Sequence, residues 1–202
     1  MDRSLYTVIN RFADRTGWAH GVMRFYAKDG VALFALLLVI GWWLGRTSAT
    51  PVAKVSAAVW SGAGALLALA INQPIGAAID RARPYNAIPN MHLLVDKTTD
   101  FSFASDHATI VGGVAAGLWL VNRRLGLAAT IAAIAMAFAR VYVGAHYPGD
   151  VIGGLALGAV IVWGLAKLAA MALQPIATAL VRSPMRPLIT SEPRPAKVID
   201  AA

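Results

Sequence analysis

Long apolar runs separated by short polar connections make up most of the chain. Five segments stand out, approximately Val31 to Gly45, Val55 to Ala78, Thr109 to Val121, Leu125 to Ala145 and Val151 to Leu173. A helix needs about 20 apolar residues to cross the hydrocarbon layer, so the first and third must extend into flanking polar residues to do so. The pattern predicts an all-α integral membrane helical bundle with about five transmembrane helices, occupying residues 30–175.

Ahead of the first segment the periodicity changes. Leu5, Val8, Ile9 and Phe12 recur at helical spacing, as do Trp18, Val22, Phe25 and Tyr26, with Arg3, Arg11, Asp14, Arg15 and Arg24 interspersed. Residues 1–29 therefore read as one or two amphipathic helices at the membrane interface; a soluble helical pair packed on the membrane domain has the same periodicity. The first apolar segment starts only after Asp29-Gly30, without the basic stretch, short apolar core and small-residue site of a cleaved signal peptide. At the other end, residues 176–202 read as a flexible cytoplasmic tail, since Pro184, Pro187, Pro193 and Pro195 lie among basic residues.

Composition agrees with a membrane domain. Hydrophobic residues make up 58% of the 202 positions and charged ones 14%, against about 25% in soluble domains. With no cysteine, neither disulfides nor thiolate metal sites are possible. The net charge of +8 fits anionic lipid surfaces better than nucleic acid, because no basic stripe with interleaved aromatics lies on a soluble module.

Basic residues also set an orientation. Arg46 and Lys54 flank the first connection, Arg123 and Arg124 fill the third, and Arg182, Arg186, Arg194 and Lys197 mark the tail. All three fall on one side of a five-span chain, which the positive-inside rule makes cytoplasmic. The connections Asp80 to Asp106 and Ala145 to Asp150 then share the opposite face.

That face collects the chain's unusual chemistry. His107, His146, Arg83, Arg140 and Asp150 stand at or near the ends of apolar segments, where charge is costly unless it has a function. Arginine forks suit phosphate oxygens and the charge on a transferring phosphoryl group. One imidazole can attack phosphorus if a carboxylate orients it, and a second can protonate the departing oxygen. His146, Asp150 and His107 fit those roles. Ser105 stands where it can cap a helix starting near His107, and a helix N-terminus also attracts phosphate. Asp80 and Arg81 read equally well as loop charges or as aids to substrate binding. His107, His146 and Asp150 are metal-ligand types, but no HExxH-like pair supports zinc and two arginines oppose a cation. Gly112, Gly113, Gly117, Gly153, Gly154 and Gly158 suit close helix packing.

The arrangement resembles the type 2 phosphatidic acid phosphatase superfamily, which also includes vanadium haloperoxidases. Its three motifs are a lysine followed seven residues later by Arg-Pro; then Pro-Ser-Gly-His; then Ser-Arg, five residues, His, three residues, Asp. Arg83-Pro84 matches the end of the first, Ser105 and His107 the second, and Arg140, His146 and Asp150 the third with unbroken spacing, across roughly residues 55–165. Gly76 stands where the lysine is expected, Ala104 and Asp106 replace the proline and glycine of the second motif, and Ala139 replaces the serine of the third. Those departures look like the bacterial undecaprenyl-diphosphate phosphatase branch.

The resemblance implies a metal-free, cofactor-free phosphatase. Its substrate would be an isoprenoid lipid diphosphate, at the extracytoplasmic face of the bacterial plasma membrane, serving carrier-lipid recycling for the cell wall. His146 would be the nucleophile, Asp150 its orienting carboxylate and His107 the acid. Arg83, Arg140, Ser105 and Asp106 would line the phosphate site, although Asp106 beside an anion needs a cationic partner or another direction to face. A broader phosphatidylglycerophosphate or phosphatidic acid phosphatase shares the machinery, and a non-enzymatic lipid-phosphate binder is the alternative from another class.

Overall fold

The computed structural model describes residues 1–192, in which every regular element is helical. Residues 193–202 of the expected tail lie outside the described residues. The chain begins with α1 (Asp2–Arg15), a 3-10 turn (Gly17–Ala19) and α2 (His20–Asp29), followed by α3 (Val31–Arg46), α4 (Pro51–Ile79) and the short α5 (Pro84–Ala87). After an irregular stretch come α6 (Asp106–Val121), α7 (Arg123–Tyr142), α8 (Pro148–Gly164) and α9 (Ala166–Val181).

Two stretches are long and apolar enough to cross a membrane on their own, Pro51–Ala87, which takes in α4 and α5, and Arg123–Tyr142. Two bent pairs qualify if each is one span: Gly17–Asp29 with Val31–Arg46, bent by 57°, and Pro148–Gly164 with Ala166–Val181, bent by 53°. α6 is apolar but shorter. Length and composition thus give two to four spans among the described residues, where the apolar pattern predicts about five.

The difference from five lies in α6, the third apolar segment, whose 16 residues fall short of a full span. The fifth apolar segment, expected to run unbroken from Val151 to Leu173, stops at Gly164 and resumes as α9. Side chains hold its last turn: the Trp60 indole of α4 donates to the Val162 carbonyl at 2.9 Å, and Trp163 donates to Ala116 of α6 at 2.7 Å. α9 then continues to Val181, past the expected tail boundary at 176. The chain beyond it folds back, with Ile189 buried against Val55 and Ala177 and the Trp42 indole donating to Leu188 at 2.8 Å. Apolar Leu188 and Ile189, not the surrounding prolines, decide that stretch.

α6 sits centrally, packed against α4, α7 and α8. Its glycines permit the approach: a Cβ at Gly112 would lie 2.7 Å from the Leu155 backbone of α8, and one at Gly113 3.0 Å from Ala65 of α4. Interior density of this kind leaves no room for an added methyl group without backbone movement. At the N-terminus, Leu5, Val8, Phe12, Trp18, Val22 and Phe25 face outward, whereas α1 buries Tyr6, Asn10 and Ala13.

Candidate active site

The C-terminal ends of α4 and α7 and the N-terminal ends of α6 and α8 come together at one end of the bundle, and there the sequence-derived residues meet. The turn between α7 and α8 shapes the centre. Gly144 adopts φ +84°, and a Cβ there would lie 2.5 Å from the His92 carbonyl, so only glycine fits. Pro148 opens α8 at a position where its missing N–H costs nothing. The Asp150 carboxylate reaches back to accept the Tyr147 N–H at 2.9 Å, closing the first turn.

His146 occupies the middle, 1% exposed. Its Nδ1 lies 2.8 Å from the Ser102 carbonyl, while its Nε2 faces Arg83 Nη1 at 3.1 Å and Arg140 Nη2 at 3.3 Å. A carbonyl can only accept and a guanidinium can only donate, so these partners require a neutral imidazole with its proton on Nδ1. Burial, then the charges of Arg140 and Arg83, push the His146 pKa well below its ordinary 6.5. The lone pair on Nε2 is therefore available at neutral pH, pointing between two cations.

The two arginines are fixed differently. Arg140, 9% exposed, donates from Nη1 to the Ala27 carbonyl at the end of α2 at 3.0 Å, while its Nε is buried without a protein partner. Arg83 donates to the Ala145 carbonyl at 3.1 Å and pairs through Nη2 with Asp100 at 2.9 Å. Partial burial pushes the Asp100 carboxyl up, but a hydrogen bond from Thr98 and the Arg83 charge outweigh it and hold it below the ordinary carboxylate value. His107, half-buried in the first turn of α6, has its pKa lowered to about 4, chiefly by burial and the charge of Arg140. Ser105 is fully buried at the N-cap of α6; its side chain makes no capping bond, and its Oγ has no protein partner.

Two expectations are corrected. Asp150 does not hydrogen-bond the imidazole: the nearest approach to Nδ1 is 3.9 Å, and the Ser102 carbonyl takes that position. The carboxylate instead accepts from Ser102 Oγ at 2.5 Å and Arg81 Nη1 at 2.6 Å, so its connection to His146 runs through Ser102. Asp106 offers a phosphate no donor. Its Oδ1 accepts from Asn72 at 2.7 Å and Gln73 at 3.0 Å, tying the start of α6 to α4, because a carboxylate bonds to the nearest amide donors. At Gly76, the position of the family lysine, a Cβ would lie 3.0 Å from the Phe103 carbonyl.

Ser102 and Asp100 are absent from the sequence-derived set, and Arg81, read there as either a loop charge or an aid to substrate binding, instead bonds Asp150. Ser102 lies only three residues before Ser105, which is the one sequence signal that pointed near it. Chemically, the site pairs an unprotonated imidazole nitrogen, which accepts from two guanidinium forks, with those two cations, opposed by Asp100 alone among directly paired carboxylates. That is the electrostatics of a site that binds an anion and attacks it.

The model of the PAP2 superfamily matches residues 57–174, more than half of the chain. Undecaprenyl-diphosphatase BcrC of Bacillus subtilis is 27% identical over 161 residues, 80% of this chain and 80% of that protein. An undecaprenyl-diphosphatase of Sulfolobus acidocaldarius is 32% identical over 145 residues, covering 69% of this chain and 65% of that one. Among solved structures, a transmembrane PAP2-type phosphatidylglycerolphosphate phosphatase from Bacillus subtilis superposes with a TM-score of 0.56 at 21% identity, covering 84% of this chain and 87% of that chain, and so shares the fold. The chain belongs to the PAP2 superfamily and is a membrane lipid phosphatase.

Proposed function

We propose that the chain hydrolyses a polyprenyl diphosphate of the undecaprenyl type to the monophosphate and inorganic phosphate, through a phosphohistidine on His146. The observation that carries this reading is the neutral imidazole whose Nε2 sits between Arg83 and Arg140 while Nδ1–H is held by the Ser102 carbonyl. The names of the relatives at 27% and 32% identity favour a polyprenyl diphosphate over other lipid phosphates.

In the proposed reaction Nε2 attacks the terminal phosphorus, and the bond from that phosphorus to the bridging oxygen breaks. Burial and the arginine charges lower the His107 pKa to about 4; the negative charge of the bound diphosphate favours its protonated form, which then gives its proton to the departing lipid phosphate. Water then attacks the phosphohistidine, with His107 as base, and releases inorganic phosphate. Arg83 and Arg140 neutralise charge on the equatorial oxygens, and Ser105 Oγ, with no protein partner, is free to donate to one of them.

We assign the site to the extracytoplasmic face of a bacterial plasma membrane. Arg46, Lys54, Arg123 and Arg124 lie at the helix ends remote from His146, and Lys54 Nζ caps the Leu120 carbonyl near the end of α6 at 2.8 Å. The outward apolar residues of α1 and α2 would rest in the outer interface, as residues 1–29 are expected to do. Phosphate release from undecaprenyl diphosphate, phosphatidylglycerophosphate and phosphatidic acid, measured with chelator present, tests the reading. Preferential release from the first supports it; preference for a glycerolipid makes the chain a broader lipid phosphatase; no release from any makes it a binder.

A further inference from the structure

α1 lies wholly outside residues 57–174, which match the family model, yet one of its faces is fastened to the site at three successive turns. Asp2 Oδ2 accepts from Arg81 Nη2 at 2.5 Å, and its Oδ1 accepts the Gly149 N–H in the first turn of α8 at 2.8 Å. Four residues on, fully buried Tyr6 packs edge-on against Tyr147 at 5.5 Å between ring centroids, with its hydroxyl 3.4 Å from the Gly144 carbonyl. Four further on, Asn10 brackets His92, donating to its carbonyl at 2.7 Å and accepting its N–H at 3.0 Å. Spacing of i, i+4 and i+8 puts all three on one face.

Asp2 reaches furthest toward the chemistry. Arg81 spans it and Asp150: one guanidinium nitrogen bonds Asp2, another bonds Asp150 Oδ1 at 2.6 Å, and the guanidinium carbon lies over the Tyr147 ring, 4.1 Å from its centroid. Asp150 in turn holds Ser102 Oγ, and the Ser102 carbonyl holds His146 Nδ1. A fork is planar and rigid, so fixing one edge sets the direction of the other.

Resting on the phosphohistidine reading above, we propose that Asp2 is a positioning residue of this phosphatase: from a helix outside the family-matching segment it sets Arg81, and through Asp150 and Ser102 the direction of His146 Nε2. Asp2 touches neither substrate nor the reacting atoms. Its loss leaves Arg81 with one carboxylate and the Gly149 N–H without its acceptor, and the imidazole loses its fixed direction while the binding arginines remain. The signature is a fall in kcat with little change in KM.

The test compares Asp2→Asn, Asp2→Glu and a surface control, Arg3→Gln, in kcat, KM, melting temperature and affinity for orthovanadate, a tetrahedral phosphate analogue that reads the imidazole without turnover. Asp2→Asn should lower kcat about tenfold and weaken orthovanadate about fivefold with KM within about twofold, because small misplacements of a reacting group are costly. Asp2→Glu should recover most of both, and Arg3→Gln should match the parent. If Asp2→Asn does not fold, Asp2→Ser, which removes the carboxylate that Arg81 bonds and leaves a shorter hydroxyl, carries the same expectation. A lower melting temperature with kcat and orthovanadate affinity both within about twofold of the parent overturns the positioning role. A parent that releases phosphate from no lipid overturns the phosphatase reading instead, and the orthovanadate arm still decides the role of Asp2.

Discussion

Ser102→Ala separates two things that one residue does at the site. The backbone carbonyl that accepts His146 Nδ1–H at 2.8 Å remains, so the imidazole keeps its tautomer; the hydroxyl that donates to Asp150 Oδ2 at 2.5 Å is lost. A hydrogen bond to a charged group contributes about 1.5–3 kcal/mol. Asp150 retains the Tyr147 N–H at 2.9 Å and Arg81 at 2.6 Å, so the carboxylate stays in place and the lower end of that range applies. At about 1.4 kcal/mol per tenfold in rate, kcat should fall by roughly ten- to thirtyfold with KM little changed. The assay is phosphate release from undecaprenyl diphosphate in detergent micelles, with the melting temperature read in parallel on the same preparations. A Ser102→Ala enzyme within about twofold of the parent in kcat refutes the argument that Asp150 acts on His146 through this hydroxyl.

Three further outcomes follow from the geometry. Arg140→Lys keeps the charge but not the fork that spans the Ala27 carbonyl and His146 Nε2, so kcat/KM should drop about a hundredfold, read by the same phosphate-release assay. Gly76→Lys should not raise activity on either undecaprenyl diphosphate or phosphatidic acid and should lower the melting temperature, because its Cβ would press on the Phe103 carbonyl at 3.0 Å; a variant many times faster than the parent contradicts this. The His146 and His107 pKa values are both depressed in the folded chain, so below about pH 6.5 the unfolded chain binds protons that the folded one refuses, and thermal stability should decline as pH falls through that region. His146→Gln should shrink that decline and leave the share that His107 contributes.

What the sequence discloses and what it hides divide along physical lines. Arg83, His107, Arg140, His146 and Asp150 are legible because ionisable groups at the ends of apolar segments are rare and their spacing is fixed by local turns. Ser102, Asp100 and Asp2 are ordinary polar residues in polar stretches, and Arg81 is legible only as a loop charge that could equally aid substrate binding. Asp2 meets Gly149 across 147 residues of sequence, and no periodicity encodes such a meeting. Asp150 was expected on the imidazole because a four-residue spacing permits it, but Pro148 starts α8 early enough to turn the carboxylate toward the Tyr147 N–H and Ser102 instead. The break at Leu165 is invisible for a related reason. The apolar run continues through it, and the last turn of α8 is held by Trp60 reaching across from α4 to the Val162 carbonyl.

The central claim is that His146 carries the phosphoryl group. Enzyme mixed with undecaprenyl diphosphate radiolabelled in its terminal phosphate, quenched in alkali within a turnover and digested, should yield an alkali-stable, acid-labile label on the peptide containing His146, and none from His146→Ala. Steady phosphate release with no label at His146, or with label on another residue, contradicts the account.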